Sequence, residues 1–116
     1  MKHLKRIFES KEQELEELEE ACIWLSDHVD TLEIESNGEG DRFRNYNIEI
    51  AVNYGKTDIT EVLEYTEKLT EVIKEYTNLL ALLERMGYKV SYHLLQTTIH
   101  LDFSRLNGKI QLEKAI

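Results

Sequence analysis

His100 and Asp102, preceded by Thr98, come closer to a catalytic spacing than any other residues in this chain. Residues two apart on a strand project from one face, so the carboxylate could orient the imidazole as a general base. The sequence offers them no nucleophile, and their expected neighbours, Gln111 and Glu113, belong on a solvated sheet face. An enzyme is therefore not expected. The histidines are His3, His28, His93 and His100, and none forms a helical pair at metal-ligand spacing. Asp27-His28 reads as a charge arrangement at the end of a helix. Cys22 is the single cysteine, which excludes an internal disulfide and a cysteine-based zinc site. Its apolar helical neighbours predict a buried, unreactive thiol. The stretch NGEGD lacks the spacing and the lysine of a phosphate loop and reads as a turn. No metal or cofactor is expected.

The charge pattern says more than the sparse chemistry. The 116 residues carry a net charge of −9. Residues 1–11 have an excess of three bases, residues 12–41 hold twelve acids and no base, and residues 42–116 balance at ten of each. The stretch KEQELEELEE alone places Glu12, Glu14, Glu16, Glu17, Glu19 and Glu20 within ten residues. Asp27, Asp30, Glu33 and Glu35 extend the acidic segment. Glu12, Glu16 and Glu20 lie one above another on a helix, where like charges cost about 0.2–0.5 kcal/mol per pair. Such a surface argues against direct binding of nucleic acid, which needs lysine and arginine to displace counterions. It suits a basic protein partner, including a nucleic-acid-binding one.

The elements that must carry these residues are legible from periodicity. Leu4, Phe8, Lys11, Leu15, Leu18, Cys22, Leu25 and Val29 alternate four and three apart, which predicts a helix from Leu4 to Val29. Ile23 and Trp24 widen its apolar stripe and predict a packed C-terminal half. A second helix is expected from about Asp58 to Met86, with Asp58 and Glu61 at capping-box spacing and Gly87 as its stop. Its expected seam is Ile59, Val62, Thr66, Leu69, Ile73, Tyr76, Leu80 and Leu83, broadened by Leu63, Leu79, Leu82 and Met86.

Between the helices, TLEIES and RFRNYNIEIAVNYG read as strands, the second with Tyr46, Ile48, Ile50, Val52 and Tyr54 on one face. A loop of five residues, Asn37 to Asp41, would oppose Leu32 to Tyr46 and keep a common apolar face. After Gly87, the apolar residues change from even to odd numbers, which predicts a bulge near Leu94 to Gln96. Asn107-Gly108 predicts a tight hairpin pairing Phe103 with Leu112 and leaving the C-terminus as an edge strand.

The expected fold is one α+β domain over residues 1–116, in the order α-β-β-α-β-β. Two long antiparallel helices pack on one face of an antiparallel sheet of about four strands, a two-layer sandwich. The start of the chain has no apolar run after MKHLKR, and no stretch approaches the ~20 apolar residues of a membrane span. A cytoplasmic chain with no membrane partner is expected. The expected function is non-enzymatic protein binding through the acidic residues named above. The chain would then occupy the basic surface of a nucleic-acid-handling partner, as an inhibitor or nucleic-acid mimic of phage or mobile-element type. The competing expectation is a self-assembling homodimeric module, or a small acidic chaperone, in which the acidic helix is only a solvated face.

Overall fold

The computed structural model describes residues 13–39, 43–55, 59–100 and 103–115. Helix α1 covers residues 13–21 and abuts α2 (Ile23–Ser26) at Cys22. The Cys22 N–H is shared between the carbonyls of Leu18, at 3.0 Å, and Glu19, at 3.2 Å. Strands β1 (Thr31–Glu39) and β2 (Phe43–Gly55) follow, then α3 (Ile59–Arg85), β3 (Lys89–His100) and β4 (Phe103–Ala115). The fold is α+β, with a four-stranded sheet in the order β1-β2-β4-β3 and every hydrogen-bonded pair antiparallel. Because β4 pairs antiparallel with both β2 and β3, those two strands run parallel, and α3 is the crossover between them.

Both helical segments lie on one face of the sheet. Along β2 the even-numbered residues Tyr46, Ile48, Ile50, Val52 and Tyr54 point into the core, as their alternation requires. Leu106, Ile110 and Leu112 of β4 join them. From above, Leu18, Cys22 and Leu25 come from α1 and α2, and Val72, Tyr76, Leu79 and Leu83 from α3. The first helical segment runs antiparallel to α3: Glu14 acts on Tyr88, just beyond the end of α3, whereas His28 meets Glu71 in its middle. The molecule measures 62 × 22 × 18 Å. Among the described residues, no helix is long and apolar enough to cross a membrane.

The stop of α3 follows the local rule. Gly87 takes φ +96°, and the N–H groups of Gly87 and Tyr88 donate back to the carbonyls of Glu84 and Leu83 at 3.0 and 3.2 Å. This pair of bonds is a Schellman motif, which satisfies carbonyls left open at a helix end. Asp58 and the residues before Gln13 lie outside the described residues.

Several sequence expectations are corrected. Helical structure in the first segment ends at Ser26, and His28 and Val29 form the turn into β1. Ile23 and Trp24 face solvent, Trp24 with 70% exposure, because a helix lying on a sheet has one buried stripe and theirs is the outer one. On α3, Val72 and Leu79 are buried while Ile73 is exposed. Tyr76 and Leu83 of the expected seam are buried, and Val72 takes the inward place expected of Ile73. The β1–β2 register sets Leu32 opposite Ile50 and Ile34 opposite Ile48, four residues further along β2 than expected, although the shared apolar face is kept.

Asn107-Gly108 departs furthest from the expected hairpin. These residues lie inside β4, paired with Ala51 and Ile50 on one side and with Leu95 and Leu94 on the other. A Cβ at Gly108 would meet Ile50 Cγ1 at 2.7 Å and Leu94 Cδ1 at 3.0 Å. The glycine therefore makes room for the core residue Ile50 and for Leu94 of β3 rather than for a turn. β4 is consequently an inner strand, and β1 and β3 are the edges. The register runs unbroken past Leu94 to Gln96, with its irregularity between Thr98 and His100. The change of apolar parity along β3 instead puts apolar residues on both faces of that strand.

Candidate protein-interaction surfaces

The acidic residues fall into three settings. Glu14 is turned inward at the start of α1. Its Oε2 accepts a 2.7 Å hydrogen bond from the Tyr46 hydroxyl and lies 3.1 Å from Arg44 Nη1, while Oε1 lies 3.8 Å from Lys114 Nζ. The Glu14 and Arg44 side chains retain only 14% and 7% exposure. Lys114 Nζ also sits 4.9 Å from the centre of the Tyr88 ring, which meets the Tyr46 ring edge-on. Burial, then the hydrogen bond to Glu14, pushes the Tyr46 phenol pKa up. Burial raises that of Tyr88 to about 12. Glu14 thus fastens α1 to β2 and β4.

Glu16, Glu17, Glu19 and Glu20 are exposed on the side of α1 away from the sheet, and Asp27 is exposed beyond α2. Among the described residues, no lysine or arginine pairs with these helix glutamates. Asp30 holds the entry to β1: its N–H donates to the Ala51 carbonyl, and its Oδ2 accepts a 2.6 Å hydrogen bond from the Asn53 N–H. Glu33 and Glu35 project from the opposite, open face of the sheet, across from Glu49 and Asn47. One acidic segment of sequence therefore becomes two separate surfaces, with Glu14 and Asp30 committed to internal contacts. Glu12 lies outside the described residues.

The open sheet face is polarised. Glu33 and Glu49 stand on the β1–β2 half of a shallow hollow, with His93, Leu95, Arg105 and Lys109 on the β3–β4 half. Lys109 Nζ lies 3.8 Å from Glu49 Oε1 across the middle.

Strand β3 has the most unusual surface. Every residue from Ser91 to Ile99 is exposed, including Tyr92 at 61%, Leu95 at 60% and Ile99 at 51%. From Val90 to Leu101 the sequence contains no Asp, Glu, Lys, Arg or Pro, in a chain that is 32% charged. Edge strands are ordinarily protected by such residues. The opposite edge, β1, does carry Glu33 and Glu35. On the helix side, Tyr76 meets the Tyr92 ring edge-on with centroids 6.1 Å apart. Its hydroxyl donates to the carbonyls of His93 and Lys109 at 3.3 and 3.4 Å, and burial raises its pKa to about 12. Gln96 Nε2 donates to the Tyr54 hydroxyl. These contacts hold β3 against the core without covering its outer edge.

Of the residues singled out for catalysis, Asp102 lies outside the described residues. Thr98 pairs with the buried Ser104 and so belongs to the helix side of the sheet, away from Gln111 and Glu113. Cys22 is buried, and desolvation pushes its thiol pKa up to about 12, well away from a reactive thiolate. The structure also assembles a group that the sequence did not announce. His28, Glu71 and Glu75 each bring a ligand atom within 4.8 Å of the others. The two glutamates are four apart on α3, but the histidine comes from a distant turn, so spacing alone could not pair them.

No protein-family model matches the chain. It is 30% identical over 110 residues to "Synaptonemal complex protein ZEP1" of Oryza sativa subsp. japonica, an alignment covering 93% of this chain. The chain spans 11% of the length of that relative.

Proposed function

We propose that this chain is a non-catalytic protein-interaction module that joins to a second copy of itself by pairing β3 with β3. The observation that carries this reading is the edge strand itself, exposed from Ser91 to Ile99 and free of protecting charge. A strand edge offers unpaired N–H and C=O groups to any matching strand. A copy is the favoured occupant on electrostatic grounds. Each chain carries a net −9 with its excess acid in residues 12–41, so two copies repel where those segments would meet. An antiparallel pairing of β3 with β3 brings together only uncharged stretches, whereas β1 would set Glu33 and Glu35 against their own equivalents. The product is a continuous sheet built from two four-stranded ones, with Tyr92, Leu94, Leu95 and Ile99 set beside cross-strand neighbours of the second copy. The resemblance to a synaptonemal complex protein, named for a complex, agrees with an assembly role.

Light scattering coupled to size exclusion tests the reading. The parent should show twice the 13.7 kDa chain mass, and Leu95→Lys should return it to one. A parent that stays monomeric at ~100 µM, well above the micromolar affinities of ordinary interfaces, rejects it.

A second reading rests on Glu16, Glu17, Glu19 and Glu20, exposed together on α1 without a paired base. In it, this face binds a basic partner and acts as an inhibitor or nucleic-acid mimic. Capture from a host lysate that is lost at ~0.5 M salt, where exposed charges are screened within a few ångströms, and lost with Glu16, Glu19 and Glu20 replaced by Lys, supports it. Capture unaffected by that variant removes it. In either reading we take the chain to work in the cytoplasm, where its lone thiol needs no disulfide partner.

A further inference from the structure

We propose that His28, Glu71 and Glu75 form a binding site for a divalent transition-metal ion of the zinc class. The donors come from two elements. Glu71 and Glu75 share one face of α3 at i, i+4 spacing, and His28 lies in the turn between α2 and β1. One ligand atom from each lies within 4.8 Å of the other two, yet no hydrogen bond or ion pair joins the three side chains to one another. They converge around a gap without bonding across it. An ion held at about 2.0–2.2 Å from nitrogen and oxygen donors sets those donors about 3.4 Å apart in tetrahedral geometry. Drawing the three donors onto a central ion thus needs a closure of the order of 1 Å, well within the reach of partly exposed side chains.

The charge around the gap favours a cation. Among the described residues, neither Glu71 nor Glu75 has a lysine or arginine partner. Two carboxylates stacked at this spacing repel each other, and a divalent ion removes that repulsion while using the imidazole as a neutral ligand. One imidazole with two carboxylates is a mixed nitrogen and oxygen set, which suits zinc and its first-row neighbours better than the all-oxygen cages of calcium or magnesium. A solvent-open hollow lined by His28, Glu64, Glu67, Lys68 and Glu71 adjoins the site, with three carboxylates against one ammonium. It leaves room for water in the remaining coordination positions. The bound ion would tie the turn before β1 to the middle of α3, joining two elements that otherwise meet only through the core.

The full chain, stripped of metal with a chelator, is titrated with Zn²⁺ by calorimetry and with Co²⁺ by visible absorption. One saturable equivalent is expected, with a Tm that rises on adding Zn²⁺ because binding favours the folded state. His28→Ala and, separately, Glu71→Gln with Glu75→Gln should each weaken binding at least tenfold and abolish the Tm rise. His93→Ala, on the other face, should bind like the parent. The native circular dichroism of each metal-free variant establishes that the loss is not one of folding. Absence of a saturable equivalent in the parent overturns the proposal. So does binding that His28→Ala and the double glutamine variant leave intact, which would assign the ion elsewhere.

Discussion

The Tyr46 hydroxyl and the Glu14 carboxylate are joined by a 2.7 Å hydrogen bond across 32 residues of sequence, on a side of α1 that the sheet covers. Arg44 and Lys114 complete the arrangement from β2 and β4. Removing one member of a buried pair leaves the other charge without compensation, at a cost of about 3–5 kcal/mol where burial is complete. Glu14 retains 14% exposure, so the cost of Glu14→Ala should fall near the lower end. Tyr46→Phe loses only one hydrogen bond and should cost about 1.5–3 kcal/mol, since its partner is charged. Glu16→Ala, an exposed neighbour, should change stability by less than about 0.5 kcal/mol. Urea unfolding of the three variants gives this ranking directly. Equal effects for Glu14 and Glu16 would return Glu14 to the solvated acidic face.

Alkaline pH should destabilise the protein. Burial raises the pKa of Cys22 from 9.0 to about 12, and those of Tyr76 and Tyr88 from 10.0 to about 12. In each case the folded chain keeps a proton that the unfolded chain has released. Stability from these groups is therefore fully present below pH 9 and falls as pH climbs toward 12. The urea midpoint should hold from pH 7 to 8.5 and decline above pH 9. Cys22→Ala should flatten the earliest part of that decline, between pH 9 and 10. A parent whose midpoint is constant to pH 11 contradicts the burial of these groups.

The distinction between local and non-local information runs through the molecule. β2 was legible because each of its inward residues, Tyr46 to Tyr54, obeys one alternation that needs no knowledge of its neighbours. Gly87 was legible for the same reason, since a left-handed residue at a helix end is a local requirement. Asn107-Gly108 misled because the same dipeptide meets two different needs, a tight turn or close side-chain approach. Only the placement of Ile50 and Leu94 beside it decides between them. The acidic segment reads as one surface because it is continuous in sequence. The chain, however, crosses from the helix layer to the sheet at Asp30, so Glu33 and Glu35 emerge on the far face. His28 meets Glu71 and Glu75 through tertiary packing, which no spacing rule in one chain encodes.

Gly108→Ala tests the close approach within the sheet. The new Cβ would stand 2.7 Å from Ile50 Cγ1, and overpacking of a core typically costs about 1–3 kcal/mol. A turn glycine would give a different signature, because shortening Ile50 could not relieve it. In an Ile50→Ala background the Gly108→Ala cost should fall by about half or more, giving a coupling energy of about 1 kcal/mol for side chains in contact. Strict additivity of the two substitutions would remove the steric explanation for this glycine.

Pairing of β3 with its own copy makes a prediction that mass alone does not capture. In a monomer the N–H groups of β3 that point away from β4 exchange with solvent freely, whereas pairing to a second strand protects them. Hydrogen exchange on the parent should therefore be slow along Ser91–Thr97 at high protein concentration and faster on dilution. Leu95→Lys should abolish this dependence, because a lysine on an edge strand disfavours strand addition. Leu95 is 60% exposed, so the substitution should leave the monomer's own stability within about 0.5 kcal/mol. Concentration-dependent protection that moves instead to α1 would make the helix the contact between copies. Exchange on β3 that stays fast at every concentration would mean the edge remains bare, and the self-pairing reading would fall.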